Sequence, residues 1–221
     1  MVSSRNIVKM NKIKAIIFDM GGVLVDLDLP ACIRAFRDGL GFRRIDEILA
    51  AGFVNGIYGA LESGRITADE FRAQVLAECD PGHTTADVDR AFGQILKGIA
   101  PYKIGLLHQL ARSYDLYMLS NNKAICLARA REMFAQAGAP LDETFKQQFM
   151  SFEIKALKPE ARIFETAIAS IGLPAGEMLF IDDVQANVDG ACACGLQGLY
   201  YEPGTDLRAL LEEYLKGGRD D

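Results

Sequence analysis

The sequence is poor in several features that would point to particular functions. It has no apolar run of about 18 uncharged residues, which excludes a membrane-spanning helix. It has no long block of lysine and arginine and its net charge is −6, so nucleic acid is not an expected partner. The two histidines, His83 and His108, have no serine or cysteine nucleophile motif around them and are not expected to be catalytic.

Cysteine is also scarce. The five cysteines are an odd number, and a chain of 221 residues does not need disulfides to stabilise its core. We therefore expect reduced thiols in a soluble, cytoplasmic protein. The N-terminal region lacks the apolar segment of a secretory signal, and we interpret residues 1–10 and 218–221 as flexible tails. An apolar content of 50% at this length suits one sizeable core with a smaller second unit.

Short apolar runs alternate with amphipathic stretches along much of the chain. The apolar runs predict buried β-strands at 14–18, 115–119 and 178–181, and a further short strand at 198–201. The stretches between them predict helices at 104–113, 124–137, 161–171, 184–194 and 206–216. This alternation predicts an α/β fold with a Rossmann-like three-layer core, in which helices cover both faces of a parallel sheet.

The interval from residue 30 to about residue 103 breaks this alternation. It shows no convincing strand, and its helix-like patterns lie at 31–37, 45–49, 67–78 and 87–97. Thr67 and Glu70 have the spacing of a capping box, which predicts a helix start. We interpret the interval as a helical unit inserted after the first strand.

Polar residues follow three of the predicted strands: Asp19, then Ser120 and Asn121, then Asp182 and Asp183. Ligands of parallel α/β sheets bind beyond the carboxyl ends of the strands, so we expect these residues to meet in one crevice. Three crowded carboxylates repel one another unless a cation lies among them. Oxygen ligands without histidine or cysteine favour Mg²⁺. An aspartate placed beside such a metal can attack the phosphorus of a phosphate ester.

The other parts of a phosphate site are also present. Ser120 and Asn121 lie at a predicted strand-to-helix turn, where they can hold phosphate oxygens, and the ammonium of Lys158 would balance the charge of Asp19. Simpler interpretations remain open. Asp19 and the Ser120–Asn121 pair could cap turns, and Lys158 could be a surface lysine. Asp182 and Asp183 could cap a helix, which is compatible with metal binding.

Four ordered segments resemble the motifs of the haloacid dehalogenase (HAD) superfamily. They are residues 18–26 (FDMGGVLVD), 119–121 (LSN), 158–164 (KPEARIF) and 180–183 (FIDD) with Asn187. Any one of them alone would be a weak signal. The resemblance implies a catalytic core at 11–28 and 104–217, a helical cap at 29–103 that closes over small substrates, and a Mg²⁺-dependent phosphatase that forms an aspartyl phosphate.

The resemblance also implies a role for each matching residue. Asp19 corresponds to the nucleophile and a metal ligand, and Lys158 to the charge-balancing lysine. Ser120 and Asn121 correspond to the phosphate-binding pair. The other metal-site positions are the Gly21 carbonyl and Asp183 as direct ligands, and Asp182 as an outer-shell residue.

The sequence departs from the family pattern at two positions. Most of these phosphatases carry a second aspartate two residues after the nucleophile, as general acid and base, and Gly21 stands there. This Asp-x-Gly form is similar to that of the bacterial α-D-glucose-1-phosphate phosphatase group. The glycosyl phosphate substrates of that group have a comparatively acidic leaving group, which has less need of a proton from an enzyme acid. Lys155 stands where relatives usually have glycine, which indicates either a looser loop or a solvent-facing side chain.

Three functions remain open at this stage. The leading hypothesis is a Mg²⁺-dependent phosphatase of a small phosphorylated metabolite, with sugar phosphates among the candidates. The second is a 2-haloacid dehalogenase, which also lacks the second aspartate and needs no metal, although the Asp182–Asp183 pair argues against it. The third is a protein that binds a phosphorylated ligand with little turnover. Tyr58, Glu62 and Arg65 of the predicted cap are candidates for substrate contact, but their spacing fits an exposed helix face equally well.

Overall fold

The computed structural model describes residues 12–50 and 56–217. The tails predicted at 1–10 and 218–221 lie outside the described residues. The strands are β1 (Ala15–Phe18), β2 (Asp26–Leu27), β3 (Leu96–Gly98), β4 (Asp115–Ser120), β5 (Gln147–Met150), β6 (Met178–Asp182) and β7 (Gln197–Tyr200). Five strands form one parallel sheet in the order β5–β4–β1–β6–β7, and the two shorter strands, β2 and β3, form an antiparallel pair.

Helices surround the sheet and fill the inserted segment. Within the described ranges, no helix has the length and apolar character needed to span a bilayer. The helices are α1 (Leu29–Arg34), α2 (Ile45–Ala50), α3 (Gly56–Glu62), α4 (Ala68–Leu76), α5 (Thr85–Gly93), α6 (Pro101–Leu110), α7 (Ala124–Gln136), α8 (Leu141–Thr144), α9 (Ser151–Ile154), α10 (Ala161–Ile171), α11 (Gln185–Ala193) and α12 (Leu207–Gly217), with a π-helical turn at Ala35–Gly39 and a 3₁₀ turn at Ala175–Glu177.

The central strand β1 shows why the sheet needs helices on both faces. All four of its residues are fully buried. Ile16 and Phe18 belong to one apolar cluster, whereas Ala15 and Ile17 belong to a second cluster on the opposite face, as expected from the alternation of side chains along a strand. The predicted three-layer α/β fold is therefore confirmed.

Helices α1 to α5 lie between β2 and β3, where the sequence predicted a helical insert. The Thr67–Glu70 capping box is present, with the Glu70 amide donating to Thr67 Oγ1 at 3.2 Å. The prediction that this interval has no strand was wrong at its end. The helix predicted to reach residue 97 ends at Gly93, and Leu96–Gly98 pairs with β2 instead. The domain boundaries at residues 29 and 103 stay a prediction.

The loop before Lys158 turns at Lys155. This residue has φ 58° and ψ 41°, the left-handed conformation that glycine adopts most easily, and its side chain is exposed. The loop is therefore turned tightly rather than loosely, and the Lys155 side chain faces solvent. The strand β5, which precedes this loop, was not predicted because its sequence QQFM has little apolar character.

Candidate active site

Asp19 lies directly after β1 at the carboxyl edge of the sheet. Its backbone amide donates to the Ile181 carbonyl at 2.9 Å, which joins the ends of β1 and β6. Its carboxylate Oδ1 accepts the Met20 amide at 2.7 Å. The residue is 8% exposed and lines a cavity of about 340 Å³. The fold thus places this carboxylate at the edge where the sequence predicted a crevice.

Lys158 is buried among the ends of three strands. Its Nζ lies 2.8 Å from Asp19 Oδ1 and 2.6 Å from Asp182 Oδ2, and it donates to the Leu119 carbonyl at 3.2 Å. The side chain is 1% exposed, which excludes the alternative interpretation of Lys158 as a surface lysine. These three partners fix the ammonium between the two carboxylates.

Asn121 holds the Lys158 segment in place. Its side-chain Oδ1 accepts the Lys158 backbone amide at 2.8 Å, and its Nδ2 donates to the Lys158 carbonyl at 3.1 Å. The side chain of Asn121 therefore positions Lys158 in this structure. Ser120 is buried at the end of β4, and both Ser120 and Asn121 line the cavity beside Asp19.

Asp182 and Asp183 have different surroundings although they are adjacent. The fully buried Asp182 accepts the Val184 amide and Asn187 Nδ2 at Oδ1, each at 2.9 Å, in addition to Lys158 at Oδ2. Asp183 is half-buried and lines the cavity. Because its carboxylate lies against Gly22, which has φ 81°, a Cβ at Gly22 would overlap it. Asp182 is thus a positioning residue, whereas the Asp183 carboxylate faces the cavity.

Negative charge dominates this cluster. Asp19, Asp182 and Asp183 each offer a carboxylate oxygen, all within 4.8 Å of one another, against the single ammonium of Lys158. Burial raises the pKa of Asp19 to about 7, and although Lys158 lowers it, Asp182 and Asp183 raise it further. Burial and then Asp182 also raise the pKa of Asp183. Burial opposes the charge of Lys158, but Asp19 and Asp182 outweigh it and its pKa is raised.

The donor set therefore fits a divalent cation. Crowded, partly desolvated carboxylates with one lysine leave excess negative charge, and oxygen donors suit Mg²⁺. Asp19 and Asp183 have the chemistry and the placement to hold it, and Gly21 lines the same cavity. Asp182 accepts hydrogen bonds from Lys158, Val184 and Asn187, and its outer-shell role stays a prediction.

The cavity extends from this cluster to the inserted helices. Glu62 of α3 lies 2.8 Å from Lys123, and the Lys123 ammonium lies 4.0 Å from the centroid of the Tyr58 ring. The backbone carbonyl of Glu62 also accepts Ser151 Oγ at 2.7 Å. The other lining residues are Met20, Leu27, Leu29, Ile95, Leu96, Asn122, Cys126, Val184 and Asn187.

The sequence left Tyr58, Glu62 and Arg65 undecided, and the structure separates them. Tyr58 and Glu62 line the cavity, whereas Arg65 is exposed and its Nε donates to Ser63 Oγ at 2.9 Å. Lys123 was not singled out from the sequence. The available signals were the i, i+4 spacing of Tyr58 and Glu62 on one helix face, and the position of Lys123 two residues after Asn121.

Comparison with known proteins indicates the same family as the sequence motifs. Residues 13–195 match the haloacid dehalogenase-like hydrolase family, and the chain belongs to this family of hydrolases. The chain is 31% identical over 197 residues to a D-ribitol-5-phosphate phosphatase of Bacteroides thetaiotaomicron, a match that covers 89% of this chain and 95% of that protein. The predicted hydrolase class is confirmed.

Two solved structures are similar throughout. A HAD family enzyme of Bacteroides thetaiotaomicron, in complex with magnesium and inorganic phosphate, has a TM-score of 0.83 and 31% identity, covering 90% of this chain and 98% of that one. A predicted HAD-like family hydrolase of Porphyromonas gingivalis has a TM-score of 0.85 and 31% identity, covering 96% and 100%. The magnesium complex supports the cofactor predicted from the sequence. The particular likeness to glucose-1-phosphate phosphatases stays a prediction.

Proposed function

We propose that the protein is a Mg²⁺-dependent phosphatase that hydrolyses a small sugar or polyol phosphate through an aspartyl phosphate. The observation that carries the proposal is the cluster of Asp19, Asp182 and Asp183 around one buried lysine at the end of the cavity. The D-ribitol-5-phosphate phosphatase and the magnesium and phosphate complex of relatives support it.

The residues of the chain divide the work of the reaction. A carboxylate oxygen of Asp19 attacks phosphorus while the bond from phosphorus to the leaving-group oxygen breaks. Water then cleaves the aspartyl phosphate, which returns the carboxylate and releases inorganic phosphate. Lys158 offsets the negative charge of Asp19 and of the phosphoryl group, and Asn121 keeps Lys158 in place. Magnesium, when held by Asp19, Asp183 and the Gly21 carbonyl, would neutralise charge between carboxylate and phosphate.

The size of the cavity supports a small substrate. Its volume of about 340 Å³ lies near the lower end of the roughly 300–1,000 Å³ typical of small-molecule sites. A phosphate ester with a leaving group of a few carbons suits such a volume better than a phosphorylated protein does.

Gly21 bears on which leaving group is preferred. Residue 21 has no side chain to give the leaving oxygen a proton, a contribution typically worth about 10²–10⁴-fold. We therefore expect glycosyl phosphates, with their more acidic leaving groups, to be hydrolysed alongside polyol phosphates.

The test is phosphate release with Mg²⁺ from a panel of glycosyl 1-phosphates, polyol phosphates and p-nitrophenyl phosphate. We expect Asp19→Asn to lose at least about 10⁴-fold in kcat because the nucleophile is gone. The matched control is Asp115→Asn, at the end of β4 far from Ser120. Asp115 forms a surface ion pair with Lys146, so this variant should keep wild-type activity.

Other outcomes would select the alternatives. Binding of phosphate esters without phosphate release would favour a ligand-binding protein. Halide release from 2-haloacids that persists in EDTA would favour a dehalogenase. Equal activity of the wild type and Asp19→Asn would refute the assignment of the nucleophile.

A further inference from the structure

Two charged side chains in the cavity are not used by the proposed reaction. Glu62 comes from the inserted helix α3, and Lys123 comes from the loop between β4 and α7. The side chains of Glu62 and Lys123 are 13% and 8% exposed, and both line the cavity with Asp19. A buried ion pair is costly to desolvate and is weak evidence of stabilisation by itself. Its position in the cavity therefore calls for a functional explanation.

The ion pair engages one oxygen of the Glu62 carboxylate. Lys123 Nζ donates to Glu62 Oε1, whereas Oε2 accepts no hydrogen bond from residues 12–50 and 56–217. The Lys123 ammonium also lies over the Tyr58 ring, and its positive charge offsets the negative charge of the Glu62 carboxylate. Burial works against the ammonium, but Tyr58 and Glu62 outweigh it, and the pKa of Lys123 is raised. The ion pair thus orients the carboxylate, and within the described residues no donor hydrogen-bonds to its second oxygen.

The rest of the wall has a different character. Leu27, Leu29 and Ile95 present apolar surface, and Leu27 and Val184 are 45% and 48% exposed. A carbon chain with hydroxyl groups along one edge matches both the apolar wall and the ion pair. Its C–H edge can lie on the leucines while its hydroxyls donate to the Glu62 carboxylate. An alkyl chain would leave the charged pair desolvated and without a new partner, which is unfavourable.

We propose that Glu62, held by Lys123, is the specificity-determining residue that binds hydroxyl groups of the leaving group. This inference rests on the proposed phosphatase function and names the residue that would select polyhydroxylated phosphates over other small phosphate esters. Sites that hydrogen-bond a substrate hydroxyl reject analogues that lack it, because the buried polar group is then unpaired.

The test compares two substrates that differ only in hydroxyl groups, a pentitol 5-phosphate and n-pentyl phosphate. We expect the wild type to favour the pentitol phosphate by at least about tenfold in kcat/KM. Glu62→Gln should reduce this preference by about tenfold. The control Glu47→Gln, on the exposed side of α2, should keep the wild-type preference.

A second variant guards against misfolding. Glu62→Leu combined with Lys123→Met removes both charges and leaves no unpaired buried ion, so the protein should still fold, with cooperative urea unfolding as the check. We expect it to lose the preference for the pentitol phosphate. Equal losses on both substrates would show that the pair only holds the inserted helices against the core, and would overturn the inference.

The result separates the inference from the proposed function. A wild type that hydrolyses phosphate esters without preferring the pentitol phosphate overturns the inference alone. A wild type that releases no phosphate from any ester, p-nitrophenyl phosphate included, overturns the proposed function.

Discussion

The cavity contains two buried lysines whose surroundings differ. Lys158 lies between two carboxylates, Asp19 and Asp182, that both belong to strand ends of the core. Lys123 pairs with one carboxylate, Glu62, that belongs to the inserted helices. One lysine is therefore enclosed by strand ends of the core sheet, and the other joins the core to the inserted helices.

This difference matches the two tasks of a phosphatase. The transferred phosphoryl group is the same in every substrate, so its site can be built from adjoining strand ends whose geometry the sheet fixes. The leaving group varies between substrates, and the residues that face it come from the insert and from a loop. The comparison predicts that Lys158 governs turnover of all substrates and that Glu62, held by Lys123, governs the choice among them.

The largest expected effect is on stability when either lysine is removed. Lys158→Met leaves Asp19 and Asp182 buried without their cation, and we expect the free energy of unfolding in EDTA to fall by about 4 kcal/mol. Lys123→Met leaves only Glu62, whose carboxylate faces the cavity, and we expect a loss of about 2 kcal/mol. Urea unfolding of both variants measures this difference, and equal losses would break the comparison.

A smaller effect is expected at Gly22, on the metal side of the cluster. A Cβ there overlaps Asp183, so Gly22→Ala should displace this carboxylate and raise the Mg²⁺ concentration for half-maximal activity about tenfold. The control Gly204→Ala has the same kind of backbone, φ 89°, with no atom within 4 Å of the added Cβ. If both variants need the same Mg²⁺ concentration, Asp183 is not a ligand.

The smallest expected effect is at Lys155, in the loop between Ser151, which contacts Glu62, and Lys158. Its left-handed backbone costs a residue other than glycine about 1 kcal/mol, and Lys155→Gly should raise the free energy of unfolding by up to about that amount. Lys155→Ala keeps the strain and should give no such gain. Thermal or urea unfolding compares them, and equal stability of the two variants would contradict the explanation.

The core and its catalytic motifs were predictable because they depend on local signals. Apolar runs such as the one before Asp19 form strands that are buried on both faces, and parallel strands bring their carboxyl ends together. The nearness of Asp19 and Asp182 follows from that rule, because both lie at carboxyl ends of neighbouring strands. Strand β5 and the pairing of Leu96–Gly98 with β2 were missed, since short strands with polar or mixed residues give no clear period.

The sequence by itself determined the parallel sheet, the family and the cluster of carboxylates that favours a cation. Only the tertiary structure decided that Asn121 holds Lys158, that Lys155 keeps the turn of a glycine, and that Lys123 meets Glu62. The reason is physical. Strand ends are aligned by a repeating backbone pattern, whereas the meeting of residues 62 and 123 depends on how the inserted helices pack on the core, which no local pattern of the chain encodes.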